Sequence, residues 1–140
     1  MVFARAYVFG GGDSAEEIKR RLASANPGSL VQAVKGGRVK NELLVELLAA
    51  QTFRAEASGS MLARKPEIDL LLRVAGTTQI SRAIRGYGVV AGEGFLAINA
   101  GRNELRVPDG FGKAELPRRT LTAPELLMVE RGALLNAQRG

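Results

Sequence analysis

Gly10-Gly11-Gly12 stands between an apolar run and a helix start. Free backbone N–H groups and the helix dipole converge at such a place and can cradle a phosphate. The stretch lacks the lysine and the spacing of a phosphate-binding loop, and Asp13, Glu16 and Glu17 bring negative charge that repels one. A tight turn is the plainer reading; a small nucleotide-binding enzyme built on Gly10–Gly12 is the rival one. Glu42 and Glu46 read as a solvated helix face, Glu125 as part of a helix cap, and Asp69 as the partner of Arg73. The chain contains no histidine and no cysteine. That removes serine–histidine and cysteine–histidine catalysis and nearly all zinc chemistry. No catalytic residue, metal or cofactor is expected.

Binding chemistry is better supplied. Net charge is +6 and the isoelectric point about 10.3. Arginine supplies 15 of the 20 cations, and its planar fork of donors suits phosphate. At Gly76-Thr77-Thr78-Gln79-Ile80 a glycine precedes a helix start, and no acid follows before Glu93. Thr78, Arg82 and Arg85 recur at helical spacing as a polar, basic row, opposite an apolar row of Ile80, Ala83, Ile84 and Tyr87. A positive helix start beside an arginine row can hold a nucleic-acid backbone; an ordinary capped helix with a solvated face is the plain alternative.

These groups need a scaffold. The 140 residues suit one domain, 1–140, with no linker and no repeat. Strands are expected at Val2–Phe9, Leu30–Val34, Ile68–Val74 and Phe95–Ile98, with a further one at Arg102–Val107 and a glycine-rich loop running to Gly112. In Ile68–Val74 the alternate positions Ile68, Leu70, Leu72 and Val74 are all apolar, which reads as period two. Helices are expected at Ser14–Ala25, opened by Asp13/Glu16 and Ser14/Glu17, and at Val39–Ala55, with Leu43, Leu44, Leu47 and Leu48 inward. Two more are expected at Thr78–Tyr87 and at Thr122–Ala137, the last opened by a Thr122/Glu125 capping box. Ser58–Pro66 is a loop. The expected fold is α/β (mixed α+β): a single domain with a mixed sheet and helices packed on it. The terminal helix is apolar nearly all round, which suits burial on more than one side: one side meeting another chain, or the whole helix lying in a groove of its own domain. No run reaches the length of a membrane span, no targeting segment is visible, and a cytoplasmic place is expected.

The run from Glu67 through Gly76-Thr77-Thr78-Gln79-Ile80-Ser81-Arg82-Ala83-Ile84 to Tyr87-Gly88-Val89 resembles the archaeal KEOPS-complex subunit related to the human PRPK-binding protein. That family shows a strand ending in a small-residue–Gly break, then a Gln-Ile-x-x-Ala-Ile helix, then a glycine before the next strand. The resemblance implies a non-enzymatic subunit that docks on the PRPK-like kinase/ATPase and captures tRNA by its 3′ CCA end for threonylcarbamoyl-adenosine modification. A purely structural kinase-binding adaptor remains the alternative within that setting. The tRNA contact is expected around Met61, Leu62, Arg64, Lys65, Arg73, Gly76, Thr77, Thr78, Gln79 and Ile80, with Arg82 and Arg85 on the basic row. Partner contact is expected at Ile84, Tyr87, Leu127, Leu134 and Leu135. No small-molecule substrate and no membrane partner are expected.

Overall fold

The computed structural model describes residues 2–10, 14–90, 93–100 and 104–139, and side chains within 14–90, 93–100, 104–112 and 116–138. In chain order the elements are β1 (Val2–Gly10), α1 (Ala15–Ala25), β2 (Leu30–Lys35), α2 (Glu42–Ser58), α3 (Pro66–Ala75), α4 (Ile80–Tyr87), β3 (Phe95–Ala100), β4 (Phe111–Glu115) and α5 (Ala123–Arg139). The four strands form one sheet in the order β2-β3-β1-β4. Each hydrogen-bonded pairing is antiparallel. β1 and β2 both oppose β3, so they run parallel to each other with β3 between them, joined through α1 as a split β-α-β unit. The chain is a single mixed α+β domain.

β3 is buried at every position, and its two faces serve two cores. Leu96, Ile98 and Ala100 join Val34 beneath α2 and α3. Phe95 and Ala97 join Ala33 on the opposite face, where α1 contributes Ile18 and Leu22, both fully buried. Burying each such side chain contributes roughly 1.5–3 kcal/mol. At the start of α1 the Glu17 N–H donates to the Ser14 hydroxyl at 3.1 Å. The Asp13 half of the expected double cap, like Gly11 and Gly12 of the glycine turn, lies outside the described residues.

α2 begins three residues later than expected because Asn41 caps it: the Asn41 side chain accepts from the Leu43 N–H at 3.1 Å. Gly59 ends it with φ +70°, a left-handed turn that favours glycine. Its buried face is Leu44, Val45, Leu48, Ala49, Thr52 and Ala55, while Leu47 is 37% exposed. α2 is covered by the sheet on one side and by α3 and α5 on another, so its inner face is broader than a leucine stripe.

The expected strand at Ile68–Val74 is a helix, α3. Pro66 sits in its first turn, Glu67 and Asp69 follow there, and Gly76 closes it at φ +72°. Leu70, Leu71, Leu72 and Val74 are all fully buried, because α3 is packed among β2, α2, α4 and α5. A helix packed against neighbours on several sides carries apolar residues at most of its positions, and an alternate set of them imitates a strand. Two further expectations change nearby in sequence. Glu104–Val107 is irregular, with Arg102 outside the described residues, and strand β4, Phe111–Glu115, paired with β1, begins inside the expected glycine-rich loop and runs past its end at Gly112.

Asp69 and Arg73 lie one turn apart inside α3, 0% and 1% exposed. Arg73 Nε donates to Asp69 Oδ1 at 2.7 Å and Nη2 to Oδ2 at 3.2 Å. The remaining capacity is used by neighbours. The Thr52 hydroxyl donates to Asp69 Oδ1 at 2.6 Å, the Leu62 N–H to Oδ2 at 2.9 Å, and Arg73 Nη1 to the Gly132 carbonyl at 2.9 Å. The expected pairing is thus present, and it depends on the helix: in a strand these residues would stand roughly 13 Å apart.

Candidate nucleic-acid interface

β2 is an edge strand, and a groove of about 780 Å³ opens beside it, between α1 and α3. Its apolar walls are Leu22, Ala23, Val31, Ala33, Ala63, Ile68 and Ile80. Lys19 and Arg20 stand on the α1 bank, and Arg64 and Lys65 on the other, at the entry to α3. Glu16 and Glu67 also line it, leaving the four cations in excess. Arg20 is held by Glu17 in an ion pair whose hydrogen bonding raises the Arg20 pKa above its usual value. No carboxylate among the described residues pairs with Lys19, Arg64 or Lys65. Ala63 and Arg64 are shared with a second hollow of about 460 Å³, walled by Gly59, Met61 and Leu62. The two hollows make one strip.

The floor of this groove is not an open strand edge. The Ala33 N–H, turned away from β3, donates to the Gln32 side-chain oxygen at 2.9 Å, and Gln32 Nε2 donates to the Glu67 carbonyl at 2.6 Å. Gln32 thereby closes the edge and fastens β2 to the first turn of α3. Further along, a bridge from Val34 to Gly88 covers the edge again. A chain adding as a fifth strand would find these donors already engaged.

The structure places the expected RNA residues in four settings. Met61, Leu62, Arg64, Lys65 and Ile80 share the strip. Gly76, Thr77, Thr78, Gln79 and Arg82 line a separate recess of about 430 Å³ beside the C-terminal end of α5. α3 alone spans roughly 15 Å between its two ends. Arg85 is exposed on α4. Arg73 is corrected outright: its guanidinium is buried and donates to Asp69 and Gly132, so it presents no charge to a ligand. Sequence reading missed the α1 bank, Lys19 and Arg20, because only the fold brings α1 opposite the segment before α3.

Gly76 is required by its left-handed φ, and the Arg131 side chain of α5 uses the space a Cβ would fill. α4 begins at Ile80, with Thr77 Oγ1 accepting from the Gln79 N–H at 3.1 Å. Only Ala83 of its expected inner row is buried; Ile80 and Ile84 are 45% and 47% exposed. Tyr87 is half-buried, with Arg38 across its ring at 5.5 Å from the centroid.

α5 opens as expected: the Glu125 N–H donates to the Thr122 hydroxyl at 3.3 Å, and the Thr122 N–H to Glu125 Oε1 at 2.9 Å. Burial works against ionisation of Glu125. It is outweighed by the Thr122 N–H, the Arg119 guanidinium, the Thr122 hydroxyl and the Asn41 amide, which together bring its pKa down to about 2. Leu126, Leu127 and Leu134 are 50%, 64% and 61% exposed. Leu135, expected on the partner surface, is fully buried in the domain instead. The apolar circumference of α5 is therefore split between core and solvent. Among the described residues no acidic cluster gathers in metal-ligating geometry, and no helix is long and apolar enough to cross a membrane. A scan against protein-family models matched none, and a search of curated proteins found no match.

Proposed function

We propose that this chain is a non-catalytic RNA-binding adaptor that holds the single-stranded 3′ CCA end of tRNA in the α1–α3 groove and docks on the KEOPS kinase through exposed leucines of α5. The observation that carries the RNA half is the pairing of an aliphatic groove with unpaired cations on both banks. A single strand offers phosphates and base faces together, and such a groove can take both. Ile68, Ile80 and Val31 supply surface for bases; Lys19, Arg64 and Lys65 supply charge for phosphates. A peptide strand is the other natural occupant of a groove beside a sheet edge, and the Gln32 closure disfavours it.

The docking half rests on Leu127 and Leu134, whose exposure on a well-capped helix has no use within the domain. The sequence resemblance directs the choice of tRNA and of the kinase. Competition settles the RNA half: a short single-stranded RNA ending in CCA should displace tRNA from the chain, and a duplex of equal charge should not. Equal displacement by both would leave only nonspecific polyanion binding.

A further inference from the structure

The segment between α2 and α3, which carries Met61, Arg64 and Lys65, is tied to α5 at two places. Directly, Asn136 Nδ2 donates to the Ser60 carbonyl at 2.7 Å. Indirectly, the Leu62 N–H is held by Asp69, Asp69 by Arg73, and Arg73 donates to the Gly132 carbonyl. Gly132 and Asn136 are one turn apart on α5. Gly132 itself lies close against α2, where a side chain would stand 2.6 Å from Gln51 Oε1 and 3.1 Å from Leu48. Two successive turns of α5 therefore grip the same short segment, once at its surface and once through a buried relay.

We propose that α5 positions the RNA-binding segment, with Asn136 as the direct positioning residue and the Arg73–Asp69 pair as the buried one. This rests on the groove being the RNA site. The segment between Gly59 and Lys65 has no regular hydrogen-bonded structure, so its course depends on such outside ties. Arg64 and Lys65 meet the α1 bank across the groove only if that course is kept. The helix proposed to meet the kinase thus also sets the RNA-binding segment. Any coupling carried by these ties acts equally in both directions, between tRNA in the groove and a partner on α5.

The test uses Asn136→Asp, which keeps the shape of the side chain but removes its donor, alongside Asn136→Ala and Arg64→Glu in the full chain. Two readouts are needed: amide exchange at Ser60 and Leu62 without RNA, and affinity for tRNA. The expected result is faster exchange at both amides in both Asn136 variants and affinity about five-fold lower in Asn136→Ala. A role in packing alone would leave amide exchange unchanged in the near-isosteric Asp variant, and because its new carboxylate repels RNA by charge, the affinity readout is taken from the neutral Asn136→Ala. Unchanged exchange overturns the proposal whatever RNA does. Faster exchange with full tRNA affinity, while Arg64→Glu weakens binding, overturns it and leaves the groove reading intact. If Arg64→Glu has no effect on tRNA, the groove reading itself fails, and the positioning proposal fails with it.

Discussion

Arg73 reaches back one turn of α3 to Asp69, and the 2.7 Å Nε–Oδ1 contact closes a buried ion pair shared by three helices and the segment before α3. Breaking such a pair from one side leaves a buried charge without its partner, which costs about 3–5 kcal/mol. Asp69→Asn and Arg73→Met should each lower stability in denaturant by that order. The double variant should be less destabilised than the sum of the singles, because it leaves no orphan charge. Strict additivity in the four-way cycle would show that the two side chains are not coupled.

Glu125 links stability to acid pH. Its folded pKa, about 2, lies below the ordinary carboxylate value of 4.5. The unfolded chain therefore binds a proton first, so the contribution is complete above about pH 4.5 and is lost as pH falls toward 2. Glu125→Gln should flatten that part of the stability profile and cost about 1 kcal/mol near neutral pH through the weakened cap. An unchanged slope of unfolding free energy between pH 4.5 and 2 would remove Glu125 from the acid response.

Two leucines on one helix should behave oppositely. Leu135 is fully buried and Leu134 is 61% exposed. Leu135→Glu buries an unpaired charge and should cost several kcal/mol, enough to compromise folding. Leu134→Glu and Leu127→Glu should leave the unfolding midpoint nearly unchanged and weaken kinase docking at least ten-fold. If both exposed variants keep full kinase affinity, α5 is not the docking helix.

Legibility in the sequence followed locality. The caps at Ser14–Glu17 and Thr122–Glu125 were readable because two residues three positions apart carry the whole signal. α3 was misread because its environment, not its own pattern, decides its apolar content. Pro66, Gly76 and the four-residue spacing of Asp69 and Arg73 were the local marks of a helix, but period two in Ile68–Val74 outweighed them. β4 was obscured by its glycine, and its pairing with β1 is a long-range fact. Arg64, Lys65 and Ile80 were readable as candidates by residue type. Lys19 and Arg20 were not, since their role depends on β2 standing at the sheet edge with α1 and α3 on either side.

The two banks of the groove should act alike on RNA. Lys19→Glu and Arg64→Glu should each weaken tRNA binding and lower the slope of log affinity against log salt by roughly one, as each removes a phosphate contact. Arg82→Glu, in the separate recess, should have the smaller effect. A larger loss from Arg82→Glu than from Arg64→Glu would move the site to the α3–α4 turn.

The most direct measurement is the affinity of the unmodified chain for intact tRNA and for the same tRNA lacking its 3′ CCA, at two or more salt concentrations. Bases laid on Ile68, Ile80 and Val31 would bury apolar surface at roughly 25 cal/mol per Å², on the order of 1.5 kcal/mol or more over the three nucleotides together. Removing the three nucleotides should therefore weaken binding at least about ten-fold, and Arg64→Glu should shrink that difference. Equal affinity for the two RNAs at every salt concentration would contradict the account.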